Sequence, residues 1–191
     1  MSMLALSSPA EAVITFTSTI NFTTRDVTLR VGSAGTIDTV TFNVLNGNVA
    51  PNPTAIIGVP SGPTTSPAGG TEVNIQADVP WLSAVNVRLN VDSSATLACV
   101  GGSGCGSTAI PFTTISWTSA NLATGANAGQ DIQSGSFNGS ANQTLSTIPV
   151  STAILGSNVV MSNVLTFSYS NTTLYPAGQY RGRVVFTASV L

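Results

Sequence analysis

The chain is expected to fold as an all-β protein, an immunoglobulin-like antiparallel β-sandwich of seven or more strands. Three observations predict it. Apolar residues recur at every second position in run after run. Gly, Pro, Asn and Ser punctuate those runs. No stretch carries a helical period of useful length.

The runs follow in chain order. Ile14, Phe16, Ser18, Ile20 and Phe22 alternate with Thr, Ser and Asn. Val27, Leu29 and Val31 form the second run, and Val40, Phe42 and Val44 the third. Val73, Ile75, Ala77 and Val79 make the fourth, and Val85, Val87, Leu89 and Val91 the fifth. Leu165, Phe167 and Tyr169 make the sixth. Tyr180, Val184, Phe186, Ala188 and Val190 close the series. A period of two, filled with Val, Ile, Thr and Phe, marks strands with one face buried and one wet. Residues 119–131 have room for one helical turn, and their glycines argue against more. Two stretches read as long loops. Residues 46–70 carry five prolines, and residues 120–143 are rich in Gly, Asn and Ala. Apolar residues such as Ile56, Ile57 and Phe137 interrupt both, so neither reads as a linker between domains. No internal repeat is visible, and residues 25–191 are expected to form a single domain.

Composition narrows the function. The chain has 191 residues, is 42% hydrophobic and only 6% charged, and has no His and no Lys. An ordinary domain is about 25% charged. Hydroxyls and amides must therefore cover its surface, and the usual charged defence against edge-to-edge strand pairing is thin. That would be a liability in a monomer and useful in a polymer. Five arginines and a net charge of −2 do not make a phosphate-tracking groove, so no nucleic-acid partner is expected. No run of eighteen apolar residues exists, so no transmembrane helix is expected.

The first twelve residues contain a short apolar piece and end in Ala10-Glu11-Ala12, an A-x-A cleavage pattern. Residues 1–12 read as the tail of a signal peptide, with an ordinary N-terminal extension as the other reading. Cys99 and Cys105 bracket a Gly-rich loop short enough to bring their Cα atoms within disulfide range. Two thiolates without His make a poor zinc site, so a disulfide that shapes a turn is the expectation. Both features agree with export.

The missing residues also speak to chemistry. Without His or Lys, no serine or cysteine has its usual activating base and no Schiff base can form. The carboxylates Glu11, Asp26, Asp38, Glu72, Asp78, Asp92 and Asp131 form no calcium-loop spacing. No phosphate-binding glycine motif is present. The chain is expected to be no enzyme and to carry no cofactor. Trp81 and Trp117 would stack on sugars if exposed; their places in or beside alternating runs put them in the core. Tyr175 and Tyr180 flank a Pro176-Ala177-Gly178 turn and read as corner packing. Asn21, Asn138, Asn142 and Asn171 sit in glycosylation sequons, which matter only in a glycosylating secretory route.

Two segments resemble a known family. The last strand, opening Pro176-Ala177-Gly178-Gln179-Tyr180 and running through Val184, Phe186, Ala188 and Val190, resembles the final strand of bacterial fimbrial subunits. The family is that of spore-coat-U-like and related chaperone–usher pilins. Residues 13–24 resemble their donor strand. The local Cys99–Cys105 pair departs from the family, where the disulfide commonly joins distant strands. The resemblance implies a pilin-like sandwich lacking one strand, whose groove is filled by the N-terminal segment of the next subunit. Ile14, Phe16, Ile20 and Phe22 would be the plugs, and Val184, Phe186, Ala188 and Val190 the groove. It further implies sibling subunits or copies of the chain as partners, a periplasmic chaperone and usher, and a place in a secreted surface fibre. Pairing of residues 13–24 within their own chain, as a first strand, is the other reading. An exported adhesive or carbohydrate-binding module, and a surface-layer or virion shell protein, are the competing functions.

Overall fold

The computed structural model describes residues 10–20, 26–33, 38–49, 52–78, 84–151 and 158–191. Alternation becomes burial across the expected runs that fall on described side chains, with Val44 and Val190, near the ends of theirs, only partly buried. Val27 and Leu29, Val73 and Ile75, Val85 to Val91 at every second residue, and Val184, Phe186 and Ala188 are all buried. The strands in chain order are β1 (Ala10–Ile20), β2 (Asp26–Val31), β3 (Thr39–Val44), β4 (Ile56–Ile57) and β5 (Val59–Pro60). Then come β6 (Thr71–Asp78), β7 (Ala84–Asp92), β8 (Thr96–Cys99), β9 (Ala109–Pro111) and β10 (Ile115–Ala120). The last four are β11 (Gly135–Ser136), β12 (Gln143–Ser151), β13 (Asn158–Tyr169) and β14 (Gln179–Val190). Helix among the described residues is limited to single 3₁₀ turns, one of them at Gly125–Asn127, inside the stretch expected to hold at most one turn.

The strands form two sheets, and the expected all-β sandwich is what the chain adopts. One sheet has eight strands, in the order β12-β7-β14-β1-β3-β5, with β8 against the start of β14 and β9 against β8. The other has six, in the order β11-β10-β13-β6-β2, with β4 against the end of β13. All pairings are antiparallel except that of β1 with β14. Between the sheets lies an aromatic cluster. Phe16 meets Phe167 and Phe186, and Phe137 stacks on Phe167 at 6.0 Å and meets Trp117 at 5.0 Å.

Some strands lie outside the alternating runs, and irregular backbone explains two of them. In β12 the register against β7 shifts between Thr144 and Ser146, a bulge that reverses which residues face inward. Ser146, Ile148 and Val150 are therefore the buried set, and no single period of two spans the strand. In β13 a similar shift falls between Val159 and Met161, and the inward position 163 is an Asn. The expected run covers only its second half. The two stretches expected as loops contribute β4, β5 and β11, each two residues long. β1 begins at Ala10, so the Ala10-Glu11-Ala12 triplet lies within the strand, and Ala12 is buried.

Candidate functional site

The expected plugs and groove meet in one place. β1 occupies the middle of the eight-stranded sheet, between the last strand and β3. Against β14 it runs parallel, from Glu11 opposite Gln179 to Ile20 opposite Ala188. Against β3 it runs antiparallel, from Ala10 opposite Val44 to Thr15 opposite Thr39. In the structure, then, this strand is seated in its own chain, and the groove beside β14 is filled from within.

Ile14 is fully buried and Phe16 is 4% exposed. The Phe16 ring lies 5.3 Å from Phe167 on the facing sheet and 5.6 Å from Phe186 on β14. Ile20 pairs with Ala188 through its backbone; its side chain, like Phe22 as a whole, lies outside the described residues. On β14, Val184, Phe186 and Ala188 are fully buried, and Val190 is partly buried against the same core. The sequence reading placed the groove on β14 alone. The second wall is β3, whose Val40 and Phe42 are equally buried. Their alternation was visible, but period says which face is apolar and not which strand is the neighbour.

The start of β14 is fixed by the disulfide loop. Cys99 and Cys105 are bonded, with Cα atoms 5.7 Å apart. Ser103 Oγ accepts from the Gln179 N–H at 3.0 Å, and the Val100 N–H donates to Gln179 O at 2.8 Å. A Cβ on Gly178 would stand 2.6 Å from Cys105 Sγ, so only glycine lets the turn and the disulfide touch. The Glu11 N–H donates to Gly178 O, bringing the first residues of β1 to the same corner. Tyr180 is buried and its hydroxyl donates to Pro176 O at 2.8 Å, which closes the corner; burial raises its pKa. Tyr169, nearby in the core, is pushed up to about 12, chiefly by burial.

The remaining candidates are placed as follows. Trp117 is buried and its indole N–H donates to Gln133 O at 2.9 Å, so it belongs to the core. Trp81 lies outside the described residues. Asp131 is buried and accepts from the Ala123 N–H, Gln133 and Asn163. Asp92 caps the turn at Ser94, whose hydroxyl and N–H lower its pKa. No group of three or more His, Cys, Asp or Glu that could hold a metal ion occurs among the described residues. Of the sequons, Asn138 and Asn142 are exposed; Asn171 is buried, and its amide donates to Asn48 O and Thr54 O. No helix among the described residues is long and apolar enough to cross a membrane. No model of a known protein family matches the chain, and no curated protein matches its sequence.

Proposed function

We propose that this protein is a non-catalytic structural subunit of a secreted bacterial surface fibre, joined to its neighbours by donor-strand complementation. The observation that carries the reading is the seat of β1. β1 fills an interior slot between β14, to which it runs parallel, and β3, and its inward residues complete the core. Removing β1 would open a groove walled by Val184, Phe186 and Ala188 on one side and by Val40 and Phe42 on the other. A groove of that kind exposes both apolar surface and unpaired backbone, and the equivalent strand of a neighbour satisfies both. The within-chain arrangement is then the self-filled state of the subunit, and the fibre is the exchanged state. The low charge of the surface suits close packing of many copies. A periplasmic chaperone would serve to hold the groove before exchange.

The test compares Phe16→Asp with Thr15→Asp in material purified from an exporting host. Phe16 faces the core, whereas Thr15 faces outward, opposite the exposed Arg183, where a new carboxylate is welcome. Electron microscopy should show fibres for the wild type and Thr15→Asp and none for Phe16→Asp. A synthetic peptide of residues 10–20 should restore a folded, capped monomer to a chain lacking that segment. Fibres from Phe16→Asp in wild-type yield would refute the joint.

A further inference from the structure

A second concave site lies on the outer face of the six-stranded sheet, away from the slot of β1. Val164 is buried but out of phase with Leu165 and Phe167, which face the core, so it lies on the outer face. The loop 61–70 folds over it: a Cβ on Gly70 would stand 2.2 Å from Val164 Cγ1. Beside the loop is a cleft of about 380 Å³, lined by Arg30, Glu72, Asn121, Thr65, Ser66 and Val164 among others. In a chain only 6% charged, this cleft is lined by one charge of each sign. Arg30 and Glu72 form an ion pair at 2.6 Å, and Asp38 stands behind the wall made by Gly32 and Gly62.

The pair is held in place. Glu72 Oε1 accepts from Ser162 Oγ at 3.0 Å, and Arg30 Nη1 donates to Gly32 O at 3.4 Å. Both side chains keep solvent contact, 37% for Arg30 and 27% for Glu72. The guanidinium has further N–H donors and the carboxylate further lone pairs, so donors and acceptors stand side by side. At the rim, Asn121 holds a left-handed backbone with φ 56°, and its carbonyl accepts from the buried Asn163 amide at 3.2 Å. Its exposed amide adds one more donor and acceptor. The exposed Pro63 supplies apolar surface beside these polar groups, over the buried Val164.

We propose that this cleft binds a neutral saccharide through a pair of vicinal hydroxyls. A hydroxyl both donates and accepts, so two on adjacent carbons match an arginine beside a carboxylate. The C–H face of the ring would lie on the exposed Pro63. The volume is within the range of small-ligand sites, with room for on the order of one or two sugar rings. A charged ligand is disfavoured from both sides: an anion meets Glu72, and a cation meets Arg30. Recognition here uses hydrogen bonds and not aromatic stacking, since Trp117 is in the core.

The experiment uses the whole chain and methyl glycosides of glucose, galactose, mannose and N-acetylglucosamine, with N-acetylneuraminic acid as the charged comparison. Saturation-transfer NMR detects binding, and amide shifts locate it. At least one neutral glycoside should bind and move the amides of Gly32, Gly62 and Asn121. Arg30→Gln and Glu72→Gln should each weaken it by roughly tenfold or more, the loss expected for a hydrogen bond to a charged group. Thermal unfolding of both variants shows whether they stay folded, and Asn121→Ala, which leaves the ion pair intact, gives an independent loss. Absence of binding by every neutral glycoside, a preference for the acidic sugar, or affinity unchanged in all three variants overturns the proposal.

Discussion

Truncating Phe16 to alanine tests whether β1 belongs to the fold as the structure places it. The side chain is 4% exposed and touches aromatic rings from both sheets, at 5.3 Å and 5.6 Å. Phe→Ala in a core costs about 3–5 kcal/mol, from lost transfer energy and the cavity left behind. The two ring contacts are worth a further ~0.5–1.5 kcal/mol each in well-formed pairs, but both are tilted and share one ring. A loss of about 4 kcal/mol is expected, a large share of the 5–15 kcal/mol or so that holds a typical domain. Thr15→Ala, one residue away on the outer face, should change stability by no more than about 0.5 kcal/mol. Urea unfolding followed by tryptophan fluorescence is the assay, because Trp117 is packed 5.0 Å from Phe137 and reports on the same cluster. The Phe16→Ala midpoint should fall with an unchanged denaturant slope. A reduced slope would show β1 detaching ahead of the rest, which is the first step that strand exchange requires. Equal midpoints for Phe16→Ala and Thr15→Ala would refute the placement of β1 in the core.

Three further outcomes are expected. Gly182→Ala should cost about 1–3 kcal/mol, because its Cβ would meet Phe112 Cζ and Thr96 O at 2.8 Å and the carbonyl is backbone that cannot swing away; chemical denaturation measures it. Replacing Cys99 and Cys105 by Ser opens a ring with a sequence separation of 6, worth about 2 kcal/mol of unfolded-state entropy, and should lower Tm by about 5 °C in calorimetry. With no His and both cysteines bonded, the chain lacks the side-chain types that ordinarily titrate near neutrality, so stability should be flat between about pH 5.5 and 9. Above about pH 10 the unfolded tyrosines ionise while Tyr169, pushed up to about 12, and Tyr180 stay protonated in the fold. Their contribution is complete below the unfolded value and is lost as pH rises through the folded one, so stability should fall across that window. Tyr169→Phe should flatten the fall, and an alkaline limb identical to wild type would count against it.

The strands legible in the sequence are those with an undisturbed period of two, such as β7 and β14, where every second residue from Val85 to Val91 and from Val184 to Ala188 is buried. The strands missed, or seen only in part, have a local reason. β12 changes phase at its bulge. β13 puts Asn163 at an inward position, where it donates to Asp131 at 2.8 Å and accepts from the Ile132 N–H at 3.2 Å. A buried amide satisfied by residues about thirty positions away looks like a surface residue in one dimension. β8 is four residues long and β9 three, too short for alternation to stand out. At the slot of β1, the side chains were legible because they repeat. The direction of the strand and the identity of its second neighbour were not, because hydrogen-bond partners lie on an axis that alternation does not report. The cleft beside Arg30 and Glu72 was invisible for a different reason. Its parts come from five separate stretches of the chain, and none of them forms a motif alone.

The thin charge of the surface raises the question of how the sheets avoid pairing at random, and their edges answer it. β12 closes one end of the eight-stranded sheet and carries both the bulge after Thr144 and Pro149, which has no N–H to offer. β5 closes the other end with two residues, the second of them Pro60. In the six-stranded sheet β11 is two residues long, and β2 carries the Arg30 that is paired with Glu72. Shortness, proline, a bulge and a few charges are the devices by which edge strands are protected. Low overall charge therefore does not leave these edges open, contrary to what composition alone suggests. Adding strands to an edge is then the less favourable way to join two copies. The interior slot between β14 and β3 offers a ladder on both sides and a row of buried side chains. If copies of this chain join through a strand, the physics of the two sheets favours replacement in that slot over addition at any edge.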